Sequence, residues 1–392
     1  MQLLPLPLRC GKDIKDVTMN KHLLWIWLRL ALKSDIKMMY ALYEVAGSVV
    51  DIFNADRKLL DEWGVSDRFR ASLLDKRLTK AHNILGQCEQ FDLSILCIED
   101  EDYPVCLREI ALPPCLLFYQ GDLFSCINGP ALTVIGTRHS TATGEALASE
   151  FAHHLAVAGF AIFCGVAEGI EAAVHKACIS ADGKCVLFLP GGLLTANKYV
   201  SRLIREVLPH GAVVSECFPT ELGGRNAYQI RNRLLCAFTP GTLILQAPAK
   251  SGALMTASYA LEQGKDVFVL PGGLKDPSFT GNNRLLRDGA IPSIAPEDIV
   301  EYYKPKWEDA LQSVVIEDDV FEGYITTVTE GNQFDDEEEQ IIFCAITPEG
   351  ITSDEIAVKT GLPVQKILAK ITLMEFKGWI APLPGGKYKT II

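Results

Sequence analysis

Between Ala131 and Ile294 six short apolar runs alternate with five amphipathic stretches of helical length, and this alternation constrains the chain more than any other feature. The runs are Leu132–Ile135, Ala161–Phe163, Val186–Leu189, Val213–Val214, Thr242–Leu245 and Val267–Leu270. The stretches are Glu145–Ala158, Ile170–Ser180, Tyr199–Leu208, Ile230–Ala237 and Leu254–Gln263. Apolar strands without polar alternation are buried on both faces, and helices between them supply the crossovers that parallel pairing requires. The expected fold is therefore α/β, with a parallel sheet covered on both sides. Ligands of such sheets sit beyond the carboxyl ends of the strands. Four of these ends carry glycine: Gly136, Cys164-Gly165, Pro190-Gly191-Gly192 and Pro271-Gly272-Gly273.

The chain has 392 residues, more than one core of ordinary size accounts for, so further domains are expected. From residue 20 to about 90, Leu24, Trp27, Leu28, Leu42, Val45, Leu59, Leu60, Trp63, Leu73 and Leu74 recur at spacings of three and four, the signature of a small helical domain. Leu93–Ile98 and Pro114–Tyr119 are short apolar stretches expected to lead into the sheet. Beyond it, Glu339–Ile346, Ser353–Thr360 and Val364–Phe376 read as three helices. Trp379–Leu383 and Lys387–Ile391, joined by Pro384-Gly385-Gly386, read as a hairpin. Three helices and a hairpin describe a winged-helix module.

The formal net charge is −12, from 49 acids and 37 bases, which taken alone argues against nucleic acid as a partner. From Glu308 to Glu339, however, there are twelve acids and no Lys or Arg; without them 37 acids face 37 bases. The excess belongs to one segment, read as a solvated acidic linker, and the folded parts are free to carry a basic face. The 12 cysteines are scattered without a CxxC pair. They are expected to be reduced, mostly buried thiols in a cytoplasmic protein, and no metal site is expected from them. Met1–Val17 has neither a signal-peptide nor a membrane-span pattern, and His22–Leu32 is too short to cross a bilayer. Met19 is a candidate start that leaves 1–18 as an extension.

The first apolar run leads into Gly136-Thr137-Arg138 and then a helix, an arrangement of exposed backbone N–H groups, helix N-terminus and guanidinium that suits a phosphate. Gly165 and Gly169 follow the second run and let the backbone approach a ligand. Arg231-Asn232-Arg233 and Lys250-Ser251-Gly252 bring cations and hydroxyls from the other half of the sheet, and Asn282-Asn283-Arg284 adds amides and a further Arg. Together they predict a basic, phosphate-reading crevice. Glu171 and His175, one helical turn apart, form either an acid/base or metal pair or one that stabilises the helix; no paired carboxylates and no Ser/His/Asp or Cys/His constellation accompany them.

These residues, with Ala260-Leu261-Glu262-Gln263-Gly264, Val269-Leu270-Pro271-Gly272 and Gly281…Asn283-Arg284-Leu285, resemble the DNA-processing protein A (DprA, or Smf) family. The tail, with Thr360-Gly361-Leu362-Pro363 and Pro384-Gly385-Gly386-Lys387-Tyr388, is similar to that family's winged helix. The resemblance implies a non-enzymatic, cofactor-free protein whose extended Rossmann-like domain forms a homodimer, binds single-stranded DNA and loads RecA recombinase during natural transformation. It implies a SAM-like helical domain at 19–92, the Rossmann-like domain at 93–303, the acidic linker at 304–334 and the winged helix at 335–392. Phosphates would fall to Arg138, Arg231, Arg233 and Lys250. Gly136, Thr137, Gly165, Gly169, Asn232, Ser251, Gly252 and Asn283 would shape the pocket. Cys164, Glu171 and Tyr228-Gln229 stand where the family usually has Ser, Asp and Phe-Pro, and Leu193–Tyr199 does not reproduce its Tyr-Pro…Asn segment.

Two other readings compete. The Pro-Gly-Gly turns suggest a phosphoribohydrolase-like enzyme, although neither continues into the PGGxGTxxE signature. A winged-helix transcription regulator would read duplex DNA, but the third C-terminal helix offers Lys366 and Lys370, with Lys377 just beyond, and no Arg or Asn for base edges.

Overall fold

The computed structural model describes residues 20–224, 227–308, 310–311, 337–347, 350–376, 379–383 and 387–390. The chain divides into two compact units at residues 314 and 315.

The first unit opens with six helices: α1 (Lys21–Ala31), α2 (Ile36–Ala46), α3 (Val49–Asn54), α4 (Arg57–Glu62), α5 (Asp67–Leu74) and α6 (Thr79–Gln90). Asn20 caps α1, and Leu23 to Arg29 are buried without interruption, so α1 is apolar on all sides and runs through the middle of this region. Of the apolar residues expected in its core, Val45 and Leu74 are exposed; their helices are amphipathic and turn these positions to solvent.

The sheet contains β1 (Ser94–Cys97), β2 (Leu116–Gly121), β3 (Ala131–Ile135), β4 (Ala161–Cys164), β5 (Cys185–Phe188), β6 (Gly211–Ser215), β7 (Gly241–Ile244), β8 (Asp266–Val269) and β9 (Ile291–Pro292) in the order β1-β2-β6-β5-β4-β3-β7-β8-β9. From β6 to β9 every pairing is parallel. Leu93–Ile98 and Pro114–Tyr119 do more than lead into the sheet: β1 and β2 extend it as antiparallel edge strands, with Phe118 opposite Ser215. Short helices α7 (Val105–Arg108) and α8 (Leu123–Ile127) precede and follow β2, and helices α9 (Ala142–Val157), α10 (Ile170–Ser180), α11 (Lys198–Val207), α12 (Ala227–Phe238), α13 (Ala253–Glu262), α14 (Thr280–Arg287) and α15 (Pro296–Tyr303) follow strands β3 to β9 in turn. Strand order reverses at β3, which lies between β4 and β7. That reversal opens a crevice at the carboxyl ends, where doubly wound sheets bind their ligands.

One hydrophobic core runs from α1 through the sheet to Leu311. Trp307 packs on Phe160 and Tyr303, so the chain remains on this body past the residue where the acidic linker was expected to begin. Most of that segment, and the 1–18 extension, lies outside the described residues. The cysteines that are described are free thiols. Among the described residues no helix is long and apolar enough to cross a membrane.

The second unit has helices Glu337–Ala345, Ser353–Thr360 and Val364–Phe376, and strands Ile351–Thr352, Ile380–Leu383 and Lys387–Thr390, with the last strand in the middle of the sheet. Thr352 and Glu355 form a capping box, and Gly361 ends the middle helix at φ +70°. Ile342, Ile356, Ile367, Ile371, Met374 and Ile380 form the core of a winged helix. Lys370, expected on a solvated face, reaches the buried carboxylate of Glu339 at 3.5 Å. The hairpin turn Pro384-Gly385-Gly386 lies outside the described residues.

Candidate nucleic-acid interface

The turns after β3 and β4 lock together through their glycines. A Cβ on Gly136 would lie 2.6 Å from Ile170, and one on Gly169, at φ +75°, would lie 2.6 Å from the carbonyl oxygen of Thr137. This close approach lets Ile170 N–H donate to that carbonyl at 3.2 Å. Thr137 N–H donates to the Gln246 carbonyl at 2.7 Å, which ties the end of β3 to that of β7. Arg138 is thereby directed outward: it is exposed, makes no ion pair among the described residues, and its guanidinium lies 4.3 Å from the ring centre of Tyr228.

Gln246 is the residue that sequence reasoning missed. It is fully buried, accepts from Thr141 N–H at 3.0 Å, and donates to the hydroxyls of Thr141 at 2.9 Å and Ser278 at 3.1 Å. Nothing but its place after an apolar run marks it in the sequence. From there the chain passes exposed Lys250 to Ser251, whose hydroxyl accepts from Ala253 N–H at the start of α13 at 3.3 Å. Between these turns lies a cleft of about 390 Å³, lined among others by Gly136, Thr137, Arg138, Arg231, Asn232, Lys250, Ser251 and Gly252. Eight of the twelve candidate residues therefore meet at one place.

Gly165 and Gly169 shape this cleft without lining it. A Cβ on Gly165 would fall on Nη1 of Arg231, so glycine there is what admits the guanidinium. Arg231 is buried and donates to the Phe188 carbonyl at 3.2 Å. Burial pushes its pKa down, the Glu171 carboxylate and Tyr228 oppose that shift, and Nε has no hydrogen-bond partner. Asn232 donates to Thr256 on α13 at 2.9 Å.

Arg233 is a correction to the sequence reading. Its Nη2 lies 2.7 Å from both carboxylate oxygens of Glu216, and the pair is buried. Two residues along an α-helix turn a side chain through about 200°, so Arg233 leaves the opposite face of the helix from Arg231 and does not line the cleft. Asn283 is also displaced from its expected role: it exchanges hydrogen bonds with Gly272 N–H and carbonyl at 3.3 and 3.1 Å and so braces the turn after β8. Its neighbour Asn282 donates to the Ile244, Leu245 and Leu270 carbonyls and accepts from Ala247 N–H, joining β7 to β8.

Glu171 and His175 are structural. Glu171 accepts from Ala167 N–H at 2.9 Å, and buried His175 donates from Nε2 to the Gly165 carbonyl at 2.7 Å. Burial pushes His175 down to about 4, so the ring is neutral at neutral pH. Among the described residues, one grouping brings ligand-type atoms within 4.8 Å, His22, Cys97 and Asp100; none of the three lines the cleft.

A doubly wound sheet with a cationic cleft at its strand-order reversal, joined in one chain to a winged helix, defines the class: an extended Rossmann-like protein with a winged-helix domain. The sequence model of the family described as DNA recombination-mediator protein A matches residues 94–304, and that of the DprA winged helix domain matches 330–386. Protein Smf of Escherichia coli (strain K12) is 28% identical over 374 residues, covering 92% of this chain and 94% of its own length. The DNA processing protein DprA of Bacillus subtilis (strain 168) is 30% identical over 240 residues, 60% of this chain and 81% of that protein. The structure of DprA from Streptococcus pneumoniae superposes with a TM-score of 0.60 at 24% identity, covering 70% of this chain and 95% of that one. The chain belongs to the DNA recombination-mediator protein A (DprA/Smf) family.

Proposed function

We propose that this protein binds single-stranded DNA by its phosphates in the cleft between β3 and β7, and that it acts by binding rather than by catalysis. The observation that carries the reading is the convergence of Arg138, Lys250, the start of α13 and the wall formed by Arg231 on one open recess. Exposed Arg138 and Lys250 supply mobile charge, and the N-terminal end of α13 adds the partial positive charge of its dipole. A flexible single strand can turn individual nucleotides into a recess of this size, which the paired and stacked bases of a duplex do not do. Glu171 in the cleft wall and the buried His175 are committed to backbone atoms and so do not form an acid/base pair, which supports a role without catalysis.

Membership of a family of recombination mediators supports delivery of the bound strand to a recombinase. RecA in natural transformation or general recombination is the proposed partner, with a homodimer as the working form and the cytoplasm, where free thiols persist, as the compartment. The test compares binding of a single strand and of a duplex of equal length at one salt concentration. A clear preference for the single strand is expected; equal affinity would overturn the reading. Release of free base from a nucleoside monophosphate would favour the phosphoribohydrolase-like alternative.

A further inference from the structure

The cleft does not end at Arg138. A second recess of about 450 Å³ continues across the carboxyl ends of β4 and β5 and shares Arg138, Ala167 and Tyr228 with the first. It is large enough for a small ligand such as one nucleotide unit. Its floor is apolar, with Val166, Leu189 and Val200. Its rim is built by a rigid turn: a Cβ on Gly192 would run into the carbonyls of Phe218 and Pro219, and Gly192 N–H donates to the Glu221 carbonyl at 2.8 Å.

The chemistry of the two recesses differs. The first presents Arg138, Lys250 and the start of α13, all suited to phosphate, and its carboxylate, Glu171, is taken up by Ala167 N–H. The second presents the carboxylate of Glu168, which is exposed and, among the described residues, engaged by no hydrogen bond or ion pair. A carboxylate repels phosphate and accepts N–H donors. The half-exposed ring of Tyr199, 46% exposed, borders the same space and offers a face to a planar group, while Tyr228 beside it carries the Arg138 guanidinium. Burial and the nearby Glu168 push the Tyr199 hydroxyl up, so it stays protonated and uncharged.

Building on the phosphate-binding reading, we propose that this second recess is a base subsite in which Glu168 accepts a hydrogen bond from an exocyclic amine. The phosphate joining two successive nucleotides then lies on Arg138, at the divide. Cytosine offers an N4 amine where thymine has a carbonyl oxygen, which a carboxylate repels. The protein is thus expected to discriminate among bases, preferring amine-bearing ones to thymine, although its phosphate contacts are blind to sequence.

The test measures fluorescence anisotropy with (dC)n and (dT)n of equal length at fixed salt and neutral pH, for the native chain and for Glu168→Ala and Glu168→Gln. The native chain is expected to favour (dC)n by about tenfold, the worth of one good base contact. Either substitution is expected to raise affinity for (dT)n by removing a repulsive charge, and to bring the dC-to-dT ratio towards one. Replacing cytosine by its analogue lacking the 4-amino group is expected to abolish the preference in the native chain. A ratio near one in the native chain, or a preference unchanged by both substitutions, overturns the base subsite while leaving single-strand binding intact. Loss of the underlying phosphate-binding reading would instead appear as failure to bind either oligonucleotide.

Discussion

Arg231 and Arg233 stand two positions apart on one helix and meet opposite environments, the first beside the cleft and the second in a buried pair with Glu216. Arg233→Ala would strand the Glu216 carboxylate away from water, at a cost of about 3–5 kcal/mol by the usual behaviour of broken buried pairs. Urea unfolding should show that loss, whereas the salt dependence of DNA binding by protein that remains folded should not change. A loss of stability below 1 kcal/mol would contradict the burial. His175 makes a pH prediction. Its pKa is 6.5 in an unfolded chain and about 4 when folded, so the unfolded state binds the proton first as pH falls. Its contribution is complete above pH 6.5 and is lost progressively down to pH 4. Between pH 7 and pH 5 the native chain should lose about 2 kcal/mol more stability than His175→Gln. Equal losses would show that the ring is not buried neutral. At this level the sequence revealed which residues carry charge but not where they face: Arg138 and Lys250 were legible because each lies in a turn after a strand, whereas Arg231 and Arg233 share helix α12 and an Arg-Asn-Arg triplet looks uniform until helical rotation separates its members.

The central strands were readable because they are apolar without interruption, as parallel strands covered on both faces must be. Helices α9 to α13 were readable from their periodicity within a few residues at each end. What escaped was set by tertiary pairing. β1 and β2 are apolar enough to be strands, but their antiparallel place in the sheet depends on an edge being available, and β9 is only two residues long. The coupling of turns through Gln246 was likewise invisible, because a glutamine after a strand has no local preference that reveals three partners far apart in sequence. Gln246→Ala removes the bonds to Thr141 and Ser278 together and should destabilise the protein by about 1–3 kcal/mol, the cost of stranding buried polar groups. It should also weaken single-strand binding, since the turns after β3 and β7 would no longer be held in register. Unaltered thermal unfolding and unaltered affinity would show that the turns are fixed by backbone packing alone.

On the scale of the whole chain, a protein with a net charge of −12 is assigned a polyanion as its ligand. The apparent conflict disappears once the acids are placed: twelve lie between Glu308 and Glu339, and the cleft has cations at its mouth. Deleting residues 315–333, which spares buried Leu311, removes five acids. Single-strand binding at low salt should be retained or tightened, as expected when like charge is withdrawn; loss of binding by folded protein would mean that the segment contributes contacts. The most direct measurement of the central claim is the salt dependence of single-strand affinity for the native chain and Arg138→Ala. If Arg138 neutralises one phosphate, the substitution should weaken binding and make the slope of log K against log[salt] shallower by about 0.7, with circular dichroism unchanged. A folded Arg138→Ala protein with the native slope would contradict the assignment of this cleft as the DNA site.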